Sequence, residues 1–239
     1  MKLNVNVLIE RNRSFYRARW LQEEWTVADT DDNLAIERAD RPSSQRKIAK
    51  ILAAARAEFF GNGFSASSIE AIAARAGVSK VTIYSWFKTK ENLFAEMVKG
   101  ECAHLSQNFV AENLESKGVR EVLIDTAENM LDFLTRDERV RFDRILAAEV
   151  SRDPRVGKYF LDNGPRALLQ NLATLLQSAM DQGKMQSSNP IASAEMFVGL
   201  VKGHLDLLLR YGETINLTAS QRRERAARAV DAWMLIHQK

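Results

Sequence analysis

The chain has 239 residues, of which 46% are hydrophobic and 27% charged, which suits a globular protein that can bury a full core without a metal or a disulfide. The single cysteine, Cys102, excludes an intrachain disulfide and predicts a reducing, cytoplasmic location. The first residues reach Glu10 before any run long enough for a signal peptide, and no stretch of about 18 uninterrupted apolar residues occurs, so neither secretion nor a membrane span is expected.

Residues 1–42 differ from the rest of the chain and are predicted to be an N-terminal extension outside the fold. They mix a basic, aromatic patch with an acidic stretch, and three interpretations remain open. The segment is a flexible tail, an arm that contacts DNA, or the product of a start codon assigned too far upstream. In the second interpretation the contacting side chains are Arg11, Arg13, Arg17 and Arg19.

Basic residues are concentrated in the segment that follows. Between residues 43 and 90 there are eight basic and two acidic side chains, a net charge of +6, so the rest of a chain of net charge +3 carries −3. A basic segment joined to a mildly acidic body suits a DNA-binding headpiece, because neutralising phosphates drives affinity for DNA. A lysine-rich, solvated helix face is the alternative explanation.

From residue 43 onward the sequence predicts helices almost throughout, with only four prolines in the whole chain. The first helix is expected over 43–61, and Gly61-Asn62-Gly63 ends it. Its apolar face repeats at helical spacing and comprises Ile48, Ile51, Leu52, Ala55, Phe59 and Phe60.

Residues 65–94, SASSIEAIAARAGVSKVTIYSWFKTKENLF, have the pattern of a helix-turn-helix. Ser67 followed three residues later by Glu70 forms a capping box, which predicts that a helix begins there. Gly77 supplies the left-handed backbone that ends this helix, and Ser79 caps the next one. The sequence therefore predicts two short helices joined by a tight turn.

The second of these helices, predicted over 80–87, has one buried and one outward face. Ile83 and Phe87 lie one turn apart and are expected in the core, whereas Lys80, Val81, Thr82 and Ser85 face outward. A short helix with small, polar and basic side chains on its free face suits the major groove of DNA. Thr89 then caps a further helix, whose amide-rich N-terminus beside Lys90 is suited to a phosphate.

The rest of the chain predicts a helical body. Helices are expected over 90–109, 119–135, 139–151, 155–183, 191–212 and 218–237, with a break at Pro165. The last two carry broad apolar stripes, which either close the chain's own core or meet their copies in a second subunit. The residues predicted for a dimer interface are Phe197, Leu200, Val201, Leu205, Leu208, Ala229 and Trp233.

The order of these elements, with ILAAARAEFFGNGF followed by SSIEAIAARAGVSKVTIYSWFKTKENLF, resembles the DNA-binding domain of the tetracycline-repressor (TetR) family over about residues 46–98. The resemblance implies an all-α homodimer that binds a palindromic double-stranded DNA operator. An N-terminal three-helix helix-turn-helix domain, residues 43–90, would read the DNA. A C-terminal helical domain, residues 91–239, would bind a small-molecule inducer and dimerise. The body resembles the regulatory domain of a proteobacterial subgroup of these regulators.

The resemblance also implies roles for individual residues. The side chains expected at base edges are Lys80, Val81 and Thr82, and Tyr84 is expected at a base methyl or a phosphate. The DNA backbone would be held by Ser67, Ser85, Trp86 and Lys90. Trp86 is alternatively a core residue.

An inducer pocket is expected among the helices that follow the DNA-binding domain. Its apolar candidates are Met97, Phe109, Met130, Phe133, Phe142, Tyr159 and Phe160. Its polar candidates are His104, Asn129, Glu149 and His204. Each of these residues is alternatively an ordinary structural residue.

The sequence therefore predicts a homodimeric, ligand-responsive transcriptional repressor with no catalytic residues, cofactor or metal. The alternative is a regulator of the same type without an inducer, controlled by a partner or acting as an activator. An enzyme is disfavoured, because the sequence has no nucleophile motif, no glycine-rich phosphate loop and no HExxH spacing. Cys102 and His104 would lie about 200° apart around a helix, so they cannot form a nucleophile–base pair.

Overall fold

The computed structural model describes residues 42–103, 105–108, 111–186 and 189–237. Residues 1–41 of the extension, which include the four arginines named above, and the candidate ligand residues His104 and Phe109 lie outside the described residues. The described part of the chain is all-α and contains no strand, as predicted. A short 3-10 helix covers Leu105–Asn108. The α-helices are α1 Pro42–Ala66, α2 Ile69–Ala76, α3 Lys80–Phe87, α4 Lys90–Ala103, α5 Ala111–Ser116, α6 Val119–Leu134, α7 Asp137–Val150, α8 Pro154–Asn163, α9 Pro165–Asp181, α10 Pro190–Lys202, α11 Leu205–Arg210 and α12 Ala219–His237.

One apolar core joins α1–α4 to α7 and α8. Phe59 of α1 meets Phe94 of α4 edge to face, with ring centroids 5.2 Å apart. Phe60 of α1 stacks on Phe142 of α7 at 4.3 Å. Aromatic pairs of this kind contribute packing energy beyond the area that they bury. The first three helices therefore share a continuous core with α4, α7 and α8.

A second core lies among α5, α6 and α9–α12. Its centre is the fully buried pair Phe197 and Trp233, whose rings meet edge to face at 6.2 Å. The indole Nε1–H of Trp233 donates to the carbonyl oxygen of Ser193 at 2.9 Å, so α12 is held to the start of α10 by a satisfied buried donor. The main contacts of α12 are with α6 and α10.

Three helix predictions were wrong in extent. The helix expected over 43–61 continues to Ala66 past an interruption at Gly63, which has φ 83°. The helix expected over 191–212 is interrupted at Gly203, which has φ 49°, and the chain continues as α11. Arg225 of α12 donates to the carbonyl oxygens of Val201 and Lys202, at 3.4 and 3.0 Å, and so satisfies the end of α10. The helix expected over 90–109 ends at Ala103, and α5 was not predicted at all.

No helix among the described residues is long and apolar enough to cross a membrane.

Candidate nucleic-acid interface and effector cavity

The turn between α2 and α3 has the backbone geometry that the sequence predicts. Gly77 adopts the left-handed conformation, with φ 68° and ψ 37°, and the N–H of Val78 returns to the carbonyl oxygen of Ala73 at 3.1 Å. These are the features of a helix end closed by glycine. Ser79 caps α3, because its hydroxyl oxygen accepts from the N–H of Thr82 at 3.2 Å. The helix-turn-helix is confirmed.

The start of α2 differs by one residue from the prediction. Ser68 is the N-cap, and its hydroxyl oxygen accepts from the N–H of Ala71 at 3.1 Å. Ser67 is only 3% exposed, and its hydroxyl donates to the carbonyl oxygen of Gly63 at 2.6 Å. Ser67 therefore ties α2 to the end of α1 instead of forming the predicted capping box. Only Ser67 has a glutamate three residues later, so the capping-box pattern favoured Ser67, whereas the fold uses Ser68 as the cap.

The outward side of α3 presents the residues that the sequence analysis placed there. Val81 is 72% exposed and Tyr84 is 45% exposed, and Ser85, which follows Tyr84 in sequence, is also exposed. Ile83 and Phe87 are buried on the opposite side. Val81 is thus an apolar side chain on an otherwise polar surface, a feature that suits contact with a thymine methyl group.

The other predicted contacts of α3 are partly engaged within the chain. The exposed ammonium group of Lys80 lies 3.3 Å from the carboxylate of Glu70, a pair that costs little to separate in water. The hydroxyl of Thr82 is half-buried and lies 3.0 Å from that of Ser79. Trp86 is half-buried and packs against the core of the DNA-binding domain, the alternative that the sequence left open.

The N-terminus of α4 lies directly after α3. Thr89 caps it by accepting from the N–H of Asn92 at 3.1 Å. The ammonium group of Lys90 rests 4.5 Å from the centroid of the Phe64 ring and 3.4 Å from the carbonyl oxygen of Ser65. Desolvation lowers the pKa of Lys90 below its usual range. The side chain is half-buried, and its charge is held beside the N–H groups that open α4.

Lys88 connects α3 to α4 in an unusual conformation that the sequence did not reveal. Its φ is 64° and its ψ is −49°, and the N–H of Thr89 bonds to the carbonyl oxygen of Phe87 at 2.7 Å. This is a γ-turn with positive φ, which is strained for a residue other than glycine. The turn leaves the Lys88 side chain exposed next to α3.

A cavity of about 410 Å³ lies in the body and is lined by residues of α4, α6, α7, α8, α9 and α10. Most of its wall is apolar, which is typical of sites for small organic molecules. Five of the predicted ligand residues line it: Met97, Met130, Phe133, Phe142 and Phe160. Residues that line it and were not predicted include Phe60, Glu101, Cys102, Thr126, Arg139, Leu169, Leu172 and Phe197.

Four other predicted ligand residues do not line this cavity. Tyr159 is 37% exposed on α8, and Asn129 and His204 are exposed. Glu149 of α7 instead contacts the end of α1, where its carboxylate accepts hydrogen bonds from the N–H groups of Phe64 and Ser65 at 2.9 Å each. These four positions were assigned from side-chain chemistry alone, without knowledge of which helix face meets the cavity.

A second depression, of about 500 Å³, lies at the surface near residues 117–121. Its side chains are mostly charged and are engaged in ion pairs. Lys117 binds Asp125 at 2.8 Å, and Arg120 binds Asp231 at 2.7 Å. Because a small-molecule site needs apolar enclosure, the cavity behind α4 is the better candidate.

Two contacts connect the wall of the cavity to α1. Glu101 lines the cavity, and its carboxylate accepts from Nε of Arg56 on α1 at 2.7 Å. The same guanidinium group binds Glu138 at the start of α7, and this pairing holds the pKa of Glu138 below its usual range. Phe60 of α1 also lines the cavity while it stacks on Phe142. A molecule in the cavity would therefore touch residues that position α1.

The predicted dimer interface was wrong for most of its residues. Phe197, Val201, Leu205, Ala229 and Trp233 are all 9% exposed or less and belong to the protomer's own core. Leu208 is half-buried, and Leu200 is exposed. Other apolar side chains of α10 and α12 remain exposed, and we refer to them and Leu200 as the apolar surface. Its residues are Met196, Leu200, Leu235 and Ile236.

Two family models match the chain. Residues 51–97 match a model described as bacterial regulatory proteins, tetR family. Residues 121–237 match a model described as the C-terminal domain of AefR-like transcriptional repressors. The two matches together cover more than half of the chain and correspond to the DNA-binding domain and the body.

Solved structures and curated proteins give the same result. The chain is similar to the flavonoid-responsive regulator FrrA, with 34% identity and a TM-score of 0.64 over 81% of this chain and 98% of that one. A tetR-family regulator from Mesorhizobium loti has a TM-score of 0.68 at 24% identity, over 83% of this chain and 100% of that one. The repressor AcnR of Corynebacterium glutamicum is 23% identical over 168 residues, which are 70% of this chain and 83% of that protein.

Proposed function

Because the chain belongs to the tetR family of bacterial regulatory proteins and is a non-enzymatic transcriptional regulator with a DNA-binding helix-turn-helix, we propose that it is a repressor that a small molecule releases from its operator. The observation that carries this proposal is the pairing of an exposed α3 face with a cavity whose wall includes residues of α1, α4 and α7. The repressor role is also supported by the names of AcnR and of the AefR-like family model.

In the proposed complex, α3 lies in the major groove. Val81 and Tyr84 would contact base edges, since both are exposed and neither has a structural role in the core. Lys80, Thr82 and Ser85 would add polar contacts. Lys90, and the indole N–H of Trp86, would hold phosphates beside the N-terminus of α4. Ser67 is not part of the proposed interface, because its hydroxyl is buried against α1.

The proposed operator is palindromic and is bound by a homodimer. Two α3 helices related by a two-fold axis read half-sites about 34 to 36 Å apart, which one subunit cannot do. The apolar surface supports this assembly, because it gathers four large apolar side chains on two neighbouring helices. We assign a second copy of the chain to it.

The proposed effector is a largely apolar, aromatic molecule. The cavity volume of about 410 Å³ and its phenylalanine-rich wall suit such a ligand. The name of FrrA, which describes that protein as flavonoid-responsive, points in the same direction. Binding would act on the DNA-binding domain through Phe60, Glu101 and the Arg56 ion pairs, and would change the separation of the two α3 helices.

An operator-release assay tests the proposal. Operator fragments are first enriched from a library of random duplexes on the purified protein, and the labelled complex is then titrated with the flavone chrysin while anisotropy is followed. We expect chrysin to release the DNA from the wild-type protein. The Met130→Trp variant, whose larger side chain fills part of the cavity, should bind the operator normally and resist release. Chrysin binding without release would contradict effector control.

A further inference from the structure

Arg139 is a buried cation in the wall of the cavity. It is 8% exposed, and its guanidinium carbon lies 5.2 Å from the ring centroid of Phe133, 5.7 Å from that of Phe142 and 5.3 Å from that of Phe160. All three rings also line the cavity. Aromatic faces stabilise a cation, but they leave its N–H groups without hydrogen-bond acceptors.

Only some of the N–H donors of Arg139 form hydrogen bonds within the chain. Nη1 donates to the carboxylate of Asp143, one helical turn further along α7. Among the described residues no acceptor receives a hydrogen bond from Nε or Nη2. A guanidinium group carries five N–H donors, so Asp143 leaves a donor edge for another partner.

The other polar groups in the wall are engaged elsewhere or lie toward solvent. Thr126 donates its hydroxyl to the carbonyl oxygen of Val122 at 2.8 Å, and Glu101 is held by Arg56. Arg166 is exposed and paired with Asp162. Glu195 is exposed, and Lys202 is half-buried and paired with Asp206 at 3.8 Å. Among the described side chains of the wall, Arg139 is therefore the buried group that is best placed to orient a ligand.

We infer that the effector of this cavity is an aromatic molecule that carries one anionic group, a carboxylate, sulfonate or phenolate, which binds the guanidinium group of Arg139. This inference rests on the proposed function and specifies the ligand class of the same site. The aromatic body occupies the apolar space beside the three phenylalanine rings. The anionic group accepts charge-assisted hydrogen bonds in a desolvated setting, where such bonds are strong.

Two dyes with the same aromatic framework test the inference directly. 8-Anilinonaphthalene-1-sulfonate carries the anionic group, N-phenyl-1-naphthylamine lacks it, and both fluoresce when they enter an apolar site. Their dissociation constants are measured without DNA for the wild type, Arg139→Met and the control Arg141→Met, which removes an exposed arginine of the same helix. Thermal unfolding monitors the fold of each variant, and Met130→Trp should weaken both dyes if they bind in the cavity.

We expect Arg139→Met to lower the affinity for the sulfonate dye about tenfold or more and that for the neutral dye less than twofold. Arg141→Met should change neither. Asp143→Asn should change the affinity in the opposite direction. It removes the carboxylate that competes for Arg139, so it should raise the affinity for the sulfonate dye alone. Equal losses of both dyes in a folded Arg139→Met protein, or no effect of Asp143→Asn and Arg139→Met on the sulfonate dye, would overturn the inference. Unchanged binding of both dyes to Met130→Trp would also overturn it.

These outcomes are separable from the failure of the proposed function. If the dyes discriminate as expected but no cavity ligand releases the operator, the ligand class stands and effector control fails. If chrysin releases the operator while Arg139→Met affects neither dye, effector control stands and the anionic ligand class fails.

Discussion

The carboxylate of Glu149 on α7 accepts a hydrogen bond from the backbone N–H of Phe64 at 2.9 Å, just after the interruption of α1 at Gly63. Its second oxygen accepts from the N–H of Ser65 at the same distance. Gly63 has φ 83°, and a Cβ atom there would come within 2.5 Å of Glu149 Oε1. The body thus holds the end of the first DNA-binding helix through an approach that only glycine permits.

Replacing Glu149 with glutamine should weaken this connection. The amide keeps one acceptor oxygen but turns an NH₂ group toward a backbone N–H, which leaves one donor unsatisfied. We expect the free energy of unfolding to fall by about 1–3 kcal/mol in urea titrations. Glu115→Gln changes an exposed glutamate in the same way and should have no effect. Equal stability of the two variants would mean that the Glu149 contact contributes nothing.

The strained turn at Lys88 predicts a substitution that raises the free energy of unfolding. Lys88→Gly should raise the free energy of unfolding by about 1 kcal/mol relative to Lys88→Ala, because glycine adopts φ 64° without strain. The two variants remove the same charge, so both should weaken binding to all DNA alike. Urea unfolding and anisotropy measure the two effects separately. The strain would be refuted by an alanine variant as stable as the glycine variant.

The sequence predicted the features that depend on neighbouring residues and missed those that depend on residues far apart in the chain. Gly77 and Ser79 act on their immediate neighbours, so the bounds of α3 were predicted correctly. The role of Glu149 depends on contacts with Phe64 and Ser65, which lie 85 and 84 positions earlier in the chain. No local sequence pattern reveals contacts between such distant positions. Arg139 was missed because its partners Phe133 and Phe160 lie on different helices.

The dimer interface shows a different limit. A helical stripe reveals that one face is apolar but not what covers it. Phe197 and Trp233 were predicted to meet a second subunit and instead meet each other. Leu235, next to the stripe, was not predicted at all and is 73% exposed.

Substituting a charged residue into the apolar surface tests the proposed dimer. Leu200→Glu should convert the protein from dimer to monomer in analytical ultracentrifugation, because burying an unpaired carboxylate in an apolar interface is costly. The side chain is 40% exposed in the protomer, so the fold should persist. Leu161→Glu is a matched control, since Leu161 is also 40% exposed but lies on α8. A dimer that tolerates Leu200→Glu would place the interface elsewhere.

The pH dependence of thiol labelling reports on the cavity wall. Burial raises the pKa of Cys102 to about 12, which favours the neutral thiol in the folded protein. We expect labelling by iodoacetamide to be about a thousandfold slower in folded than in unfolded protein at pH 8, and to rise about tenfold per pH unit up to pH 10. Since the folded state resists ionisation, stability should decline as the pH rises above about 9. A labelling rate of folded protein that levels off near pH 9 would contradict the burial of this thiol.

The central claim is that α3 reads DNA, and enrichment of bound duplexes from a random library tests it most directly. We expect the wild type to enrich a palindrome of two half-sites. Tyr84→Ala should lose it, because the variant removes an exposed side chain of α3 without disturbing the core. Tyr159→Ala, which removes a similarly exposed tyrosine of α8, should enrich the same palindrome as the wild type. Enrichment of one identical motif by all three proteins, or of no motif by folded wild-type protein, would contradict DNA reading by α3.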